Sequence, residues 1–300
     1  MSKILIQRTI GGGGDILMLT PTIRTLSKLN NEVHIMTDRR YLNGMLVKLL
    51  KNNPYIKRII DISTDKVDTF LSLEKDKVFN FDHCPCYSYE MNPSNPIKNR
   101  IDIFADSIGL TLDSKKTDLF LTEEEDSFAG NFTSNNYLLL APQASTMRRN
   151  IPAGIFRGIT DYLLSEGILT IIVKHDACEK RSIVQDSLVT AYNLDVLEIA
   201  SLVKHSKYVV CSDSAVLHIA GALEVPSLSF WGPTPPESRI NYYKKADYYY
   251  PGKSLKCSPC FYKECSIAEK CNRMGAINEF ISLLKGKLNE LNWQRTEDPL

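Results

Sequence analysis

Asp15 follows four consecutive glycines, Gly11 to Gly14, shortly after the apolar run Ile4-Leu5-Ile6. A carboxylate presented on bare backbone, with room beside it for a bulky substrate, can act as a general base. The same residue can instead cap the helix that follows, with the glycines making the turn. A second constellation, Cys211-Ser212-Asp213-Ser214-Ala215, leaves the apolar run Tyr208-Val209-Val210. Asp213 and Ser214 are both good helix N-caps, and free N–H groups on the first turn beyond them suit a diphosphate. His218, four residues after Ser214, shares its helical face one turn along, where it meets that anion or packs in the core. A third group is Cys257-x2-Cys260-x4-Cys265-x5-Cys271. These thiols could hold a structural zinc or iron tetrahedrally, or could stay unligated, since the second C-x2-C of a zinc ribbon is missing. Cys84 and Cys86 lack partners in sequence.

The elements that must position these residues alternate along the chain. Lys3 to Arg8 reads as a strand, Asp15 to Leu29 as a helix with Ile16, Leu19, Ile23 and Leu26 on one face, and Glu32 to Met36 as a second strand. Pro21 argues for a kink or a late start in that helix. Tyr41 to Leu50 (helix), Ile56 to Ile62 and Lys77 to Phe81 (strands), Cys84 to Pro96 (loop) and Ile101 to Ile108 (helix) follow. The polar stretch Thr122 to Asn136 marks a domain boundary near residue 130, giving domains 1–130 and 131–300. Beyond it come strands at Tyr137 to Ala141, Leu169 to Val173, Tyr208 to Ser212 and Ser227 to Trp231. Helices are expected near Ile155 to Ser165, Lys180 to Leu188, Val196 to Val203, Ser214 to Leu223 and Gly275 to Leu291. The pattern predicts an α/β protein of two doubly wound domains with a cleft between them. The glycine run is not a dinucleotide fingerprint, because Ile16 or Leu17 stands where the third glycine belongs. That disfavours a nicotinamide-dependent oxidoreductase.

Composition narrows the function classes. Thirty-six basic and 35 acidic side chains leave a formal net charge of +1, which gives no global attraction for nucleic acid or anionic membrane. Hydrophobic residues at 43% and charged ones at 24% exclude wholesale disorder. No apolar run approaches the roughly 18 residues of a membrane span. Met1-Ser2-Lys3 passes straight into Ile4 without a signal-peptide core, so a cytoplasmic protein is expected, with its thiols reduced or bound to metal.

Taken in order, these segments resemble glycosyltransferase family nine, the heptosyltransferase family. The resemblance rests on Gly14-Asp15 leading to Leu19-Thr20-Pro21-Thr22, on Asn99-Arg100-Ile101-Asp102, and on Asp213-Ser214-Ala215-Val216-Leu217-His218. Gly232-Pro233-Thr234-Pro235 and the Cys257 to Cys271 segment add to it. It implies a GT-B fold, two Rossmann-like domains facing across a cleft. It also implies inverting transfer of a sugar from a nucleotide diphosphate without a required catalytic metal, ADP-heptose being the family's default donor. Carried over by position, Asp15 is the general base. Gly13, Gly14, Ser145, Thr146, Arg149, Glu179, Asp213, Ser214, Ala215 and His218 then hold the donor, Arg149 standing where the family usually has a phosphate-neutralising lysine. The first domain would bind the acceptor, around Cys84 to Arg100 and Tyr41 to Lys51, and the second the nucleotide sugar. A glycan hydroxyl is the expected acceptor, with a protein or a nucleic-acid base as alternatives and peripheral contact with a membrane compatible with either. A non-catalytic nucleotide-sugar-binding protein on the same scaffold is the competing reading.

Overall fold

Ile4, Leu5 and Ile6, all nearly inaccessible to solvent, form the middle of strand β1 (Lys3–Gln7). The computed structural model of the chain describes residues 1–65, 76–133, 136–176, 179–258, 260–261 and 277–293. The chain divides into two compact units, Met1–Thr122 with Glu237–Tyr243, and Glu123–Pro236 with the remainder from Lys244. The division falls between Thr122 and Glu123, at the start of the acidic stretch and a little before residue 130.

In the first unit β1 is flanked by β2 (Glu32–Thr37), β3 (Arg58–Asp61) and β4 (Lys77–Asn80) in the order β3-β2-β1-β4, with every pairing parallel. The chain therefore moves outward from β1 to β3 and then returns to the far side of β1. The loops after β1 and β4 diverge at this reversal, the place where open α/β sheets receive ligands. Helix α1 (Gly13–Lys28) begins directly after the glycine turn and is buried continuously from Ile16 to Leu26. It runs through Pro21, so the late start expected from that proline is not seen. Thr20 Oγ1 donates to the Leu17 carbonyl at 2.7 Å, supplying the donor that Pro21 lacks.

The second unit carries β5 (Leu138–Ala141), β6 (Thr170–Lys174), β7 (Arg181–Gln185), β8 (Leu188–Tyr192), β9 (Tyr208–Ser212), β10 (Ser227–Phe230) and β11 (Ala246–Tyr249). Their order is β11-β10-β9-β5-β6-β8-β7, parallel except for the β7–β8 pair. Starting at β5, the chain fills one side of the sheet before crossing to β9, so a second reversal lies between β5 and β9. Ile155, Ile159 and Leu163 from helix Ala153–Ser165 meet Phe280, Leu284 and Leu288 from helix Ile277–Glu290 in the core beneath β5 and β10.

Two expectations are corrected. Lys180 to Leu188 is not helical: β7 and β8 form an antiparallel hairpin with Asp186 at φ 51° in its turn. Ile183, Val184, Val189 and Thr190 are β-branched and favour the extended chain. Cys84 to Pro96 is not all loop: Pro85–Met91 is a helix with proline in its first turn, where the missing N–H costs nothing.

Candidate active site

The first unit gathers its ionisable side chains at the β1/β4 reversal. Asp82, after β4, accepts from Thr9 N (2.6 Å), Thr9 Oγ1 (2.8 Å) and Gln7 Nε2 (2.7 Å), which ties the two loops together. Arg8 leaves β1 nearly inaccessible to solvent and donates to the Phe81 carbonyl. Gly11 has φ +125°, and a side chain there would run into the Arg8 guanidinium, so the turn requires glycine at that position.

Asp15 sits in the first turn of α1. Its Oδ2 accepts from Gly12 N at 3.3 Å and lies 3.6 Å from Arg8 Nη2, while Oδ1 is taken by Arg100 Nη1. It therefore caps its helix and also faces charged partners. Arg100 Nε and Nη2 reach Glu90 at 2.8 and 2.5 Å, and Arg239 Nη1 reaches the same carboxylate at 2.6 Å. Three guanidiniums thus enclose two carboxylates. Burial opposes ionisation of Asp15, but Arg100, Arg8 and Arg239 outweigh it and hold Asp15 well below the usual carboxylate range. Glu90, 4% exposed, is lowered too, its burial overcome by Arg100 and Arg239. The Asp15 side chain keeps 17% exposure.

At the β5/β9 reversal of the second unit the loops after both strands meet. Arg149, in the turn Met147–Arg149, donates through Nε to Thr146 Oγ1 (3.1 Å), contacts Ser145 Oγ, and lies 3.5 Å from Asp213 Oδ2. Asp213 is buried, and Ser214 is the N-cap of helix Ala215–Ala222 with extended backbone, φ −145° and ψ 176°. Its side chain caps nothing. Ser212 Oγ and Ser214 Oγ are buried with no hydrogen-bond partner among the described residues, an arrangement suited to donate to an anion's oxygens. His218 is 3% exposed in the same helix.

Of the residues singled out from sequence, Ser145, Thr146, Arg149 and Asp213 are joined by contacts, with Ser214, Ala215 and His218 continuing from them. Gly13 and Gly14 form the first turn of α1 beside Asp15. Glu179 is exposed and joins neither group among the described residues. Cys257 is exposed and Cys260 half-buried, while Cys265 and Cys271 lie outside the described residues. Among the described residues no group of three or more His, Cys, Asp or Glu side chains could hold a metal ion. Sequence reasoning misses Arg8, Glu90 and Arg239. The signal that could find them is Arg8 itself, an arginine closing an apolar strand, which needs a carboxylate if the strand end is buried. Cys84 and Cys86, partnerless in sequence, here adjoin Arg8 and Arg100.

The family described as Glycosyltransferase family 9 (heptosyltransferase) matches residues 87–271. Among solved structures, a glycosyl transferase family 9 protein from Veillonella parvula DSM 2008 is 14% identical with a TM-score of 0.71, over 96% of this chain and 97% of that one. The E. coli heptosyltransferase WaaC with ADP is 12% identical with a TM-score of 0.64, over 95% and 99%. The iron-containing dodecameric glycosyltransferase TibC from enterotoxigenic E. coli H10407 is 15% identical with a TM-score of 0.69, over 96% and 80%. No curated protein matches the chain. These structural likenesses carry the fold, GT-B. Among the described residues no helix is long and apolar enough to cross a membrane.

Proposed function

The chain belongs to glycosyltransferase family 9, and on that premise we propose that it moves a sugar, with inversion, from a nucleoside diphosphate to an acceptor hydroxyl deprotonated by Asp15. The observation that carries this reading is the ionised, still accessible Asp15 carboxylate at the β1/β4 reversal. Its Oδ1 is committed to Arg100, whereas Oδ2 is held only by the longer contacts to Gly12 N (3.3 Å) and Arg8 Nη2 (3.6 Å), so Oδ2 is the oxygen that would meet the acceptor. An oxocarbenium-like transition state makes the attacking hydroxyl strongly acidic as the new C–O bond forms. A weakly basic carboxylate therefore suffices, provided that it is ionised and in place.

Donor binding falls to the second unit. As the sugar departs, negative charge builds on the diphosphate. Arg149 and the first-turn N–H groups of helix Ala215–Ala222 meet that charge, with Ser214 Oγ free to donate and His218 one turn further along. These groups occupy the role a divalent cation plays elsewhere, so transfer is expected to proceed unchanged in a chelator. Cys257, Cys260, Cys265 and Cys271 would hold any zinc or iron as a brace and not as a reagent, and metal analysis of protein purified anaerobically tests for it.

Asp15→Asn should lower kcat by about 10²- to 10⁴-fold while nucleotide-sugar affinity, read by calorimetry, stays within about twofold. Equal loss of affinity would move Asp15 into the donor site. Slow donor hydrolysis with no transfer to any acceptor would favour a nucleotide-sugar-binding protein. Thermal shifts with ADP-, GDP-, UDP- and CMP-sugars rank the donors, since each stabilises in proportion to its own affinity. An ADP-heptose is the first donor to try.

A further inference from the structure

The carboxylate at the β1/β4 reversal has a sulfur neighbour that sugar transfer does not use. After β4, Cys84 N donates to the Phe81 carbonyl at 3.0 Å, and the resulting turn brings Cys84 back towards Arg8. Arg8 Nη2 lies 3.9 Å from Cys84 Sγ and 3.6 Å from Asp15 Oδ2, so sulfur and carboxylate share one guanidinium nitrogen. Cys84 is partly exposed and Cys86, two residues on, is buried. Cys86 Sγ donates to the Arg100 carbonyl at 3.9 Å. The charged groups facing that sulfur are Arg8 and Arg100, which favour a thiolate, and Asp15, which opposes it. The neighbouring Cys86 thiol, aided by the two arginines, outweighs burial and Asp15 and brings Cys84 down to about 6. Burial pushes the Cys86 and Cys211 thiols up instead. A partly exposed thiolate beside guanidinium groups is the setting in which cysteines react.

We propose that Cys84 is a covalent modification site that reacts with small disulfides, and that the adduct closes the Asp15 side of the first unit to acceptor. In the reaction the Cys84 thiolate attacks one sulfur of R–S–S–R. A Cys84–S–S–R bond forms, the original S–S bond breaks, and R–S⁻ leaves to take its proton from water. The oxidising equivalent comes from the small disulfide, and a reducing thiol reverses the exchange. The adduct places a new group next to Asp15 Oδ2 and removes the thiolate charge from Arg8, leaving Arg8 to Asp15 alone. The effect on activity rests on the reading of Asp15 as the base; the reactivity of the sulfur does not.

The test uses the full chain and an aromatic disulfide that releases a coloured nitrothiobenzoate, with labelled peptides located by mass spectrometry. At pH 6.5 the first equivalent should map to Cys84 and react about fivefold faster than the exposed Cys257, a modest ratio because a less basic thiolate is also a weaker nucleophile. Its rate should be half-maximal near pH 6, and Arg8→Gln should move that midpoint upward. Transfer should fall in step with the first equivalent and return with dithiothreitol. The fraction of activity surviving the reagent should rise to near one in Cys84→Ser and stay low in Cys257→Ser. Cys84 labelling no faster than Cys257 would overturn the site, and full transfer by the Cys84 adduct would overturn its effect. If instead Asp15→Asn transfers normally while Cys84 still labels first, the reading of Asp15 fails and the modification site stands.

Discussion

Asp15 combines two tasks that pull its basicity in one direction. The Gly12 N–H and three guanidiniums stabilise the ionised form, so the carboxylate keeps its charge far below the pH at which an ordinary aspartate protonates. The acid limb of kcat/KM should therefore not be set by Asp15, and the rate should stay level from pH 8 to about 5. Arg100→Met removes the nearest positive charge while burial still opposes ionisation. Its acid limb should move upward to the ordinary carboxylate range or above, which a pH–rate profile reads directly. An unmoved limb would show that Arg100 does not tune Asp15, or that Asp15 is not the proposed base. Asp15 was legible because the residues that expose it, four glycines and a strand end, are its sequence neighbours. Its electrostatic setting was not: Glu90 and Arg239 are 149 positions apart and meet only through the fold.

At the scale of elements, burial and local geometry decide what the sequence pattern leaves open. Strands with unbroken apolar runs, β1, β5 and β9, are plain from composition alone. The hairpin β7–β8 is not, because all of β7 is exposed and no buried face enforces a period of two. Helix packing gives a sharper test. A methyl on Gly158 would sit 2.6 Å from Ile277 Cγ2, so Gly158 lets helix Ala153–Ser165 approach helix Ile277–Glu290. Gly158→Ala should cost about 1–3 kcal/mol from overpacking, against about 1 kcal/mol gained in helix propensity. Adding Ile277→Ala should then relieve the clash, and the coupling should appear in a double-mutant cycle of thermal unfolding. Asp113 anchors the other end of the first unit, accepting from Arg24 Nε (3.2 Å), Thr25 Oγ1 (2.8 Å) and Lys28 Nζ (2.8 Å). Burial works against its charge, yet Lys28, Thr25 and Arg24 bring it down to about 2. A carboxylate lowered on folding stabilises fully above its unfolded value, near 3.9, and loses that contribution as pH falls through its folded value. Asp113→Asn should therefore cost about 1–2 kcal/mol at pH 7, after allowance for its partial exposure, and almost nothing near pH 2. Denaturant titrations across that interval check it.

For the whole molecule, sequence order and spatial order part company at residue 237. Composition places a boundary near residue 130 and suggests two contiguous halves, because a polar stretch is the visible mark of a linker. Nothing in composition marks Glu237–Tyr243, which follows the second unit's Gly232-Pro233-Thr234-Pro235 turn yet belongs to the first unit. The reason is energetic. Ile240 and Tyr243 are 4% and 7% exposed there, and Arg239 balances the buried Glu90 that Arg100 alone would share with Asp15. Arg239→Met keeps the apolar stem and removes the charge, leaving Glu90 with one partner instead of two. Breaking such a buried pair costs about 3–5 kcal/mol when no partner remains, so about 2–3 kcal/mol is expected with Arg100 still in place. That loss should appear by native-state hydrogen exchange in β1 and helix Arg100–Asp106, and not in β5 or β9. Contiguous halves divided near residue 130 would give the opposite pattern, with weakened protection among the strands on Arg239's own side of the boundary. The exchange map therefore decides whether the first unit is closed by a segment from the far half of the chain.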